Sequence, residues 1–230
     1  MPKVKSGERL IIDALQTKAC TKQSVYRITQ QVFNQFKMTL QQLQTRLSET
    51  FDRIDKTVEI SYRELGEFEA ELKFGGDILY FSMHTNVFTF DGAHEIHQAK
   101  YIQEEPLRAY FGMIQVHNFL ADSIKYNRPN DLGYLIARVF INRDKHFFVD
   151  GEHPLSFLYH DLDQMEISEA YVKSIIESTI LFALDFDLYV PPFREVSLLS
   201  VEEKMQMSGS AAMRTGKRLG FRMNEKDKPK

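Results

Sequence analysis

The stretch EFEAELKFGGDILYFSMH, Glu67 to His84, decides the fold class. Phe68, Ala70, Leu72 and Phe74 alternate with Glu69, Glu71 and Lys73, so a strand here carries one apolar face and one charged face. Gly75-Gly76 supplies a tight turn, and Asp77 to His84 begins a second strand. A connection this short joins antiparallel neighbours, because a parallel crossover needs a much longer segment.

Working outward, the segments around 57–64, 67–74, 77–84 and 87–90 read as consecutive strands, punctuated by Gly66, Gly75-Gly76 and Thr85-Asn86. Asp91 to Tyr110 breaks the period and is expected to be a loop or short helix crossing the sheet. Phe111 to Tyr126 fits either a strand or a helix, NRPNDLG (127–133) is a turn, and 134–141 with 145–149 form a hairpin through Asn142-Arg143-Asp144.

Helices flank this β region. Val25, Ile28, Val32, Phe36, Leu40, Leu43, Leu47, Phe51 and Ile54 recur at spacings of three and four, the signature of a long amphipathic helix, with Glu8 to Lys22 expected as a separate helical piece before it. Ser168 is placed to cap a helix over 168–186 whose apolar surface is broad, Pro191-Pro192 stops it, and 201–207 suits a short last helix. Strands that follow strands indicate an α+β fold: one antiparallel meander of about six or seven strands packed by the N-terminal and C-terminal helices. The expected layout is a single domain over 1–207 (helical segment 8–54, sheet region 57–150, helix 168–186) followed by a basic tail over 208–230.

Composition narrows the setting. Cys20 is the only cysteine, which excludes an intrachain disulfide and cysteine-rich metal centres within the chain and fits a reducing, cytoplasmic environment. The first apolar run, Leu10 to Ile12, is far short of a secretory core, and no apolar stretch approaches the ~18 residues of a membrane span. The net charge of -3 is unevenly spread: the tail over 208–230 holds seven Lys/Arg against two acidic residues and is +5, leaving -8 on the remainder. A basic tail on an acidic body suits a polyanion or the protein's own acidic surface.

Three groups of residues are candidates for chemistry. Glu69, Glu71 and Lys73 lie two apart on one strand face, a spacing at which two carboxylates can hold a divalent cation beside an ammonium group. Glu69-x-Glu71-x-Lys73 resembles the signature of the triphosphate tunnel metalloenzymes, the group containing thiamine triphosphatases and some adenylyl cyclases. That resemblance implies Glu69 and Glu71 as metal ligands, for Mg²⁺ or Mn²⁺, and Lys73 as a phosphate contact. Glu71-x-Lys73, with Asp52 or Asp55 upstream, is similar to the core of restriction-nuclease-like folds, which implies metal-dependent phosphodiester cleavage. Asp77 to Phe90 contains no Arg or Lys to extend a cationic tunnel, and a solvent-facing charged stripe is the simplest expectation for the three residues.

His94 and His97, with His84 nearby in sequence, are the other candidate metal ligands, although His94-Glu95-Ile96-His97 lacks the spacing of a zinc-protease helix. In the tail, Arg214, Lys217, Arg218 and Arg222 interleave with Phe221, a pattern that can contact phosphates while an aromatic ring stacks on a base, or can dock on a partner. The favoured expectation is a non-enzymatic binding or interaction module for a small ligand or a protein partner, with no cofactor, because the strands carry few convergent titratable groups. The alternatives are a metal-dependent phosphohydrolase or nuclease using Glu69, Glu71 and Lys73, and a nucleic-acid-associated factor acting through the tail.

Overall fold

The computed structural model describes residues 6–190, 192–201 and 204. It begins with α1 (Gly7–Ala14), a π-helical turn (Leu15–Ala19) and α2 (Cys20–Ile54), which together make one helical run of 48 residues. The expected break near Lys22 is absent. Between Gly7 and Gly66 the chain has neither glycine nor proline to stop a helix, and the backbone stays right-handed at Ala14 and Cys20, on either side of the π turn. Ser6 caps the start through its hydroxyl, which accepts from the Arg9 amide.

Six strands follow: β1 (Ile60–Gly66), β2 (Glu69–Phe74), β3 (Asp77–Met83), β4 (Phe111–Leu120), β5 (Tyr134–Asn142) and β6 (Phe147–Gly151). They pair antiparallel in the order β1-β2-β3-β4-β5-β6, so every strand lies beside its sequence neighbour. Gly75, at φ 57°, makes the tight turn between β2 and β3, a conformation that an L side chain would strain. The expected strand over 87–90 is not a strand. Phe88 alone bridges to Phe111, because Phe90 turns instead into an aromatic cluster with Phe111, Phe140 and Phe148. The ambiguous segment 111–126 resolves into β4 followed by the short helix α4 (Ala121–Lys125).

Each face of the sheet has its own core. On one face, Val32, Phe33, Phe36 and Leu40 of α2 meet Leu72, Leu79, Phe81, Ile114 and Val139, and α6 (Glu169–Leu184) adds Val172, Ile175 and Ile176. Ser168 caps α6 as its sequence position implies. On the other face, the segment between β3 and β4 folds into a 3₁₀ turn (Glu95–Gln98), α3 (Lys100–Glu104) and a second 3₁₀ turn (Pro106–Ala109), whose Ile96, Ile102 and Ala109 cover Phe111, Met113 and Phe140. Asn142, fully buried, ties this cover to the β5–β6 turn. Its side-chain oxygen accepts from the amides of Asp144 and His146, both at 3.0 Å, and its amide donates to the Tyr101 hydroxyl at 3.1 Å and the Arg108 carbonyl at 3.4 Å. Arg108 lies over the Tyr101 ring at 4.1 Å, and His146 stacks on that ring at 4.3 Å.

Both outer strands are tied down. The Ile60 carbonyl of β1 accepts from Gln44 and Ser48 of α2, and the Gly66 carbonyl accepts from Lys37, which also pairs with Glu64 at 2.8 Å. Along β6 the amides of Phe147 and Val149 donate to the carbonyls of Met165 and Tyr159, in a stretch that also holds α5 (Leu155–Leu158). A last short helix, α7 (Phe193–Val196), follows. Apart from Val201 and Lys204, the expected helix over 201–207 and the whole basic tail lie outside the described residues.

The separation between α2 and the sheet is set at one point. Thr29, buried on α2 with its hydroxyl turned back to the Val25 carbonyl at 2.8 Å, sits directly over Gly112 of β4. A Cβ at Gly112 would lie 1.9 Å from the Thr29 hydroxyl oxygen and 2.7 Å from its Cβ. Gly112→Ala therefore has to push α2 off the sheet, and a loss of about 1–3 kcal/mol in urea denaturation is expected; an unchanged midpoint would show that the contact tolerates more room than the geometry allows.

Candidate functional site

The charged face of β2 looks away from α2. Antiparallel register carries it across the sheet in rows: Arg63, Glu71, Tyr80 and His117 stand side by side in one, and Glu69, Ser82, Gln115, Arg138 and Asp150 in the next. These rows lie on the half of the face that the 91–110 cover leaves open.

Each charge is already answered from within the protein. Arg63 holds Glu71 at 2.5 Å, Lys73 pairs with Glu59, Arg138 pairs with Asp150, and Glu69 accepts from the Tyr80 hydroxyl. The Lys73 ammonium accordingly lowers the Glu59 carboxyl below its usual range, chiefly through their hydrogen bond. Burial, reinforced by Glu69, pushes the Tyr80 phenol up to about 12. The expected wet stripe is thus only partly wet: Glu69 is exposed and Lys73 half-covered, but Glu71 is 8% exposed, because Tyr80 and Arg63 flank it in its own row.

The structure does not gather the candidate metal ligands. His84 accepts from the Asn86 amide through Nδ1 and packs its ring on Phe88. His94 accepts from the Ile96 amide through Nδ1, capping the 3₁₀ turn, and lies against Phe90. The Nε2 of His97 sits 3.3 Å from the Phe90 carbonyl. These three imidazoles organise the turn leading into the cover, each with its own partner, and Glu69 and Glu71 are engaged elsewhere. Among the described residues no group of three or more His, Cys, Asp or Glu side chains is placed to hold a metal ion. Arg214, Lys217, Arg218, Phe221 and Arg222 lie outside the described residues.

What sequence reasoning passed over is the first part of the helical run. From Gly7 through Ala19 no residue is buried, and Leu10, Ile11, Ile12 and Leu15 are 45–61% exposed. The run Leu10–Ile12 is weighed in the sequence only as too short for a secretory core; its pairing with Leu15 at helical spacing is the signal that marks it as an amphipathic overhang. Where the overhang meets the body, the ammonium groups of Lys18 and Lys22 lie 6.0 and 5.3 Å from the Tyr110 ring centroid. Neither lysine has a carboxylate partner among the described residues. Beside them is an open notch of about 480 Å³ lined by Lys22, Gln23, Tyr26, Thr85, Asn86, Val87 and Phe88. A smaller groove of about 340 Å³ runs between α2 and α6 past Met38, Arg46, Glu169 and Lys173.

No protein-family model, curated protein or solved structure matches this chain. Among the described residues, no helix is long and apolar enough to cross a membrane.

On the open face, burial reaches the imidazole of His117. Its Nδ1 is enclosed without a hydrogen-bond partner among the described residues, and desolvation holds its pKa below the ordinary value. The folded pKa is therefore the lower of the two, and below about pH 6.5 the unfolded chain takes up a proton that the folded one refuses. This contribution to stability is complete above that pH and is lost as the pH falls towards the folded pKa. His117→Gln is expected to flatten the acid side of the stability profile in urea titrations between about pH 7 and 5; an unchanged slope would mean that His117 titrates as freely in the folded state as in the unfolded.

Proposed function

We propose that this protein is a non-enzymatic interaction module that engages a protein partner through the overhang formed by α1 and the π turn. One observation carries the proposal: a helical stretch from Gly7 to Ala19 presents four large apolar side chains and buries none of its residues against the body. A helix of that length is marginal alone in water, and an exposed apolar stripe on it gains most when another surface covers it.

Two further observations support a helical rather than a strand-mediated mode. Both outer strands of the sheet already have backbone groups engaged, β1 by α2 and β6 by the segment over 159–167, so adding a strand would displace existing bonds. The open polar face has its charges paired internally, which leaves less for a small charged ligand to gain there. The proposal includes a cytoplasmic setting, supported by the single cysteine, Cys20, which stands exposed and reduced beside the overhang.

The test compares affinity captures from the native cell extract using the wild-type chain and a Leu10→Glu/Ile11→Glu variant as baits. Neither residue is buried, so the variant should melt within a degree or two of wild type. At least one protein should be retained by wild type and lost from the variant; identical retained sets would contradict a role for the overhang.

A further inference from the structure

We infer that the notch between α2 and the turn after β3 is a binding site for a small organic phosphate carrying an aromatic ring, a site separate from the overhang. The fold gathers five polar side chains here and leaves them unanswered. Lys18 and Lys22 both reach the Tyr110 ring, and Gln23, Thr85 and Asn86 stand around the adjoining opening. Among the described residues none of these five side chains has a hydrogen-bond or ion-pair partner, and every one of them can donate. Two ammonium groups drawn to one ring with no carboxylate between them repel each other until an anion joins them.

The charge of the site is set locally. Glu67 accepts from Gln30 at 2.6 Å, and Gln30 lies about 12 Å of helix beyond Lys22, further than the screening length of about 8 Å at physiological salt. Asp91 accepts from the Ala93 amide at 2.9 Å, and neither lysine forms an ion pair with Asp13. His84, packed on Phe88, adds no negative charge.

Chemistry and shape select the anion. Lysine stems are flexible, so two ammonium groups can close on one phosphate, whose several charged oxygens answer both of them. The walls below are Tyr26, Val87 and Phe88, a surface for a flat ring, and Tyr26 is braced by Phe68 with ring centroids 6.5 Å apart. Gln23 and Asn86 each bring a side-chain amide that can bond the heteroatoms of such a ring. An opening of about 480 Å³ falls within the range of small-molecule sites and takes a ring and a phosphate together. Because the notch is open to solvent, binding should be modest, with a dissociation constant on the order of 100 µM.

Adenosine monophosphate, which has both parts, is the probe in an amide NMR titration of the full chain, with adenosine and inorganic phosphate as the separated parts. The nucleotide should shift the amides of Lys22, Gln23 and 85–88, and each separated part should bind roughly tenfold more weakly. Raising salt from about 50 to about 300 mM should weaken the nucleotide several-fold. Lys18→Glu/Lys22→Glu should lose it, whereas Lys18→Arg/Lys22→Arg should keep it within about threefold. Thr85→Trp, which fills the opening and leaves both lysines in place, should lose it too. None of these three positions is buried, so the variants should melt near wild type. Leu10→Glu/Ile11→Glu should bind the nucleotide as wild type does, whatever becomes of its protein partner. No shift at the notch up to about 10 mM nucleotide, far above the expected dissociation constant, would overturn the inference. So would inorganic phosphate that binds as tightly as the nucleotide, nucleotide binding untouched by Thr85→Trp, or its loss from Leu10→Glu/Ile11→Glu.

Discussion

Thr29 resting on Gly112 is the contact on which the rest of the structure depends. α2 lies across the sheet from β1 towards β5, and only a residue without a side chain lets its backbone come this close to β4. That approach brings Phe33 and Phe36 down among Leu72, Leu79, Phe81 and Ile114, all of them 0–1% exposed. Each such side chain, fully withdrawn from water, contributes about 1.5–3 kcal/mol, a gain that falls steeply with an added gap because interiors are close-packed. Lys37, one turn beyond Phe33, fixes the helix laterally by reaching the Gly66 carbonyl and Glu64 at the β1–β2 turn.

Because α2 is held there, the outcome for the two ends of the long helix differs. Its second half slides to the β1 edge, where Leu43, Leu47 and Phe51 are partly covered and Ile54 is 70% exposed. Its first part runs off the other end of the sheet before the stripe of Leu10, Ile11 and Leu15 has anything to pack against. The overhang follows from laying a 48-residue helical run across a six-stranded sheet: a helix rises about 1.5 Å per residue and neighbouring strands lie about 4.8 Å apart, so the helix outreaches the sheet.

Much of the fold was legible because period-2 and period-3.6 patterns survive wherever one face is buried. β2 and β3 read cleanly, and α6 declares itself through Ser168. Three features did not. Phe88 and Phe90 look like alternating strand residues, but the second aromatic cluster claims Phe90, and a tertiary contact of that kind leaves no local trace. Thr29, Phe33 and Lys37 are buried although the apolar stripe taken from sequence runs through Ile28, Val32 and Phe36; Gly112 makes room for a threonine, and Gly66 and Glu64 satisfy the lysine. The continuity of α1 with α2 was hidden because a π turn shifts the periodicity without any glycine or proline to announce it. The charged triad of β2 was legible as a face but not as a set of ion pairs: Glu59, Arg63 and Tyr80, which answer Lys73, Glu71 and Glu69, come from the neighbouring strands or just before them, and only register brings them together.

Residue-resolved hydrogen exchange tests the account most directly. The amides of α2 from Val25 to Leu40 and those of β3 and β4 should exchange together and slowest, opening only with the whole molecule, while those of α1 and the π turn exchange fast. High protection of α1, or exchange from Val25 to Leu40 that outpaces β4, would contradict the claim that one helix is locked to the sheet at Gly112 and left open at its start.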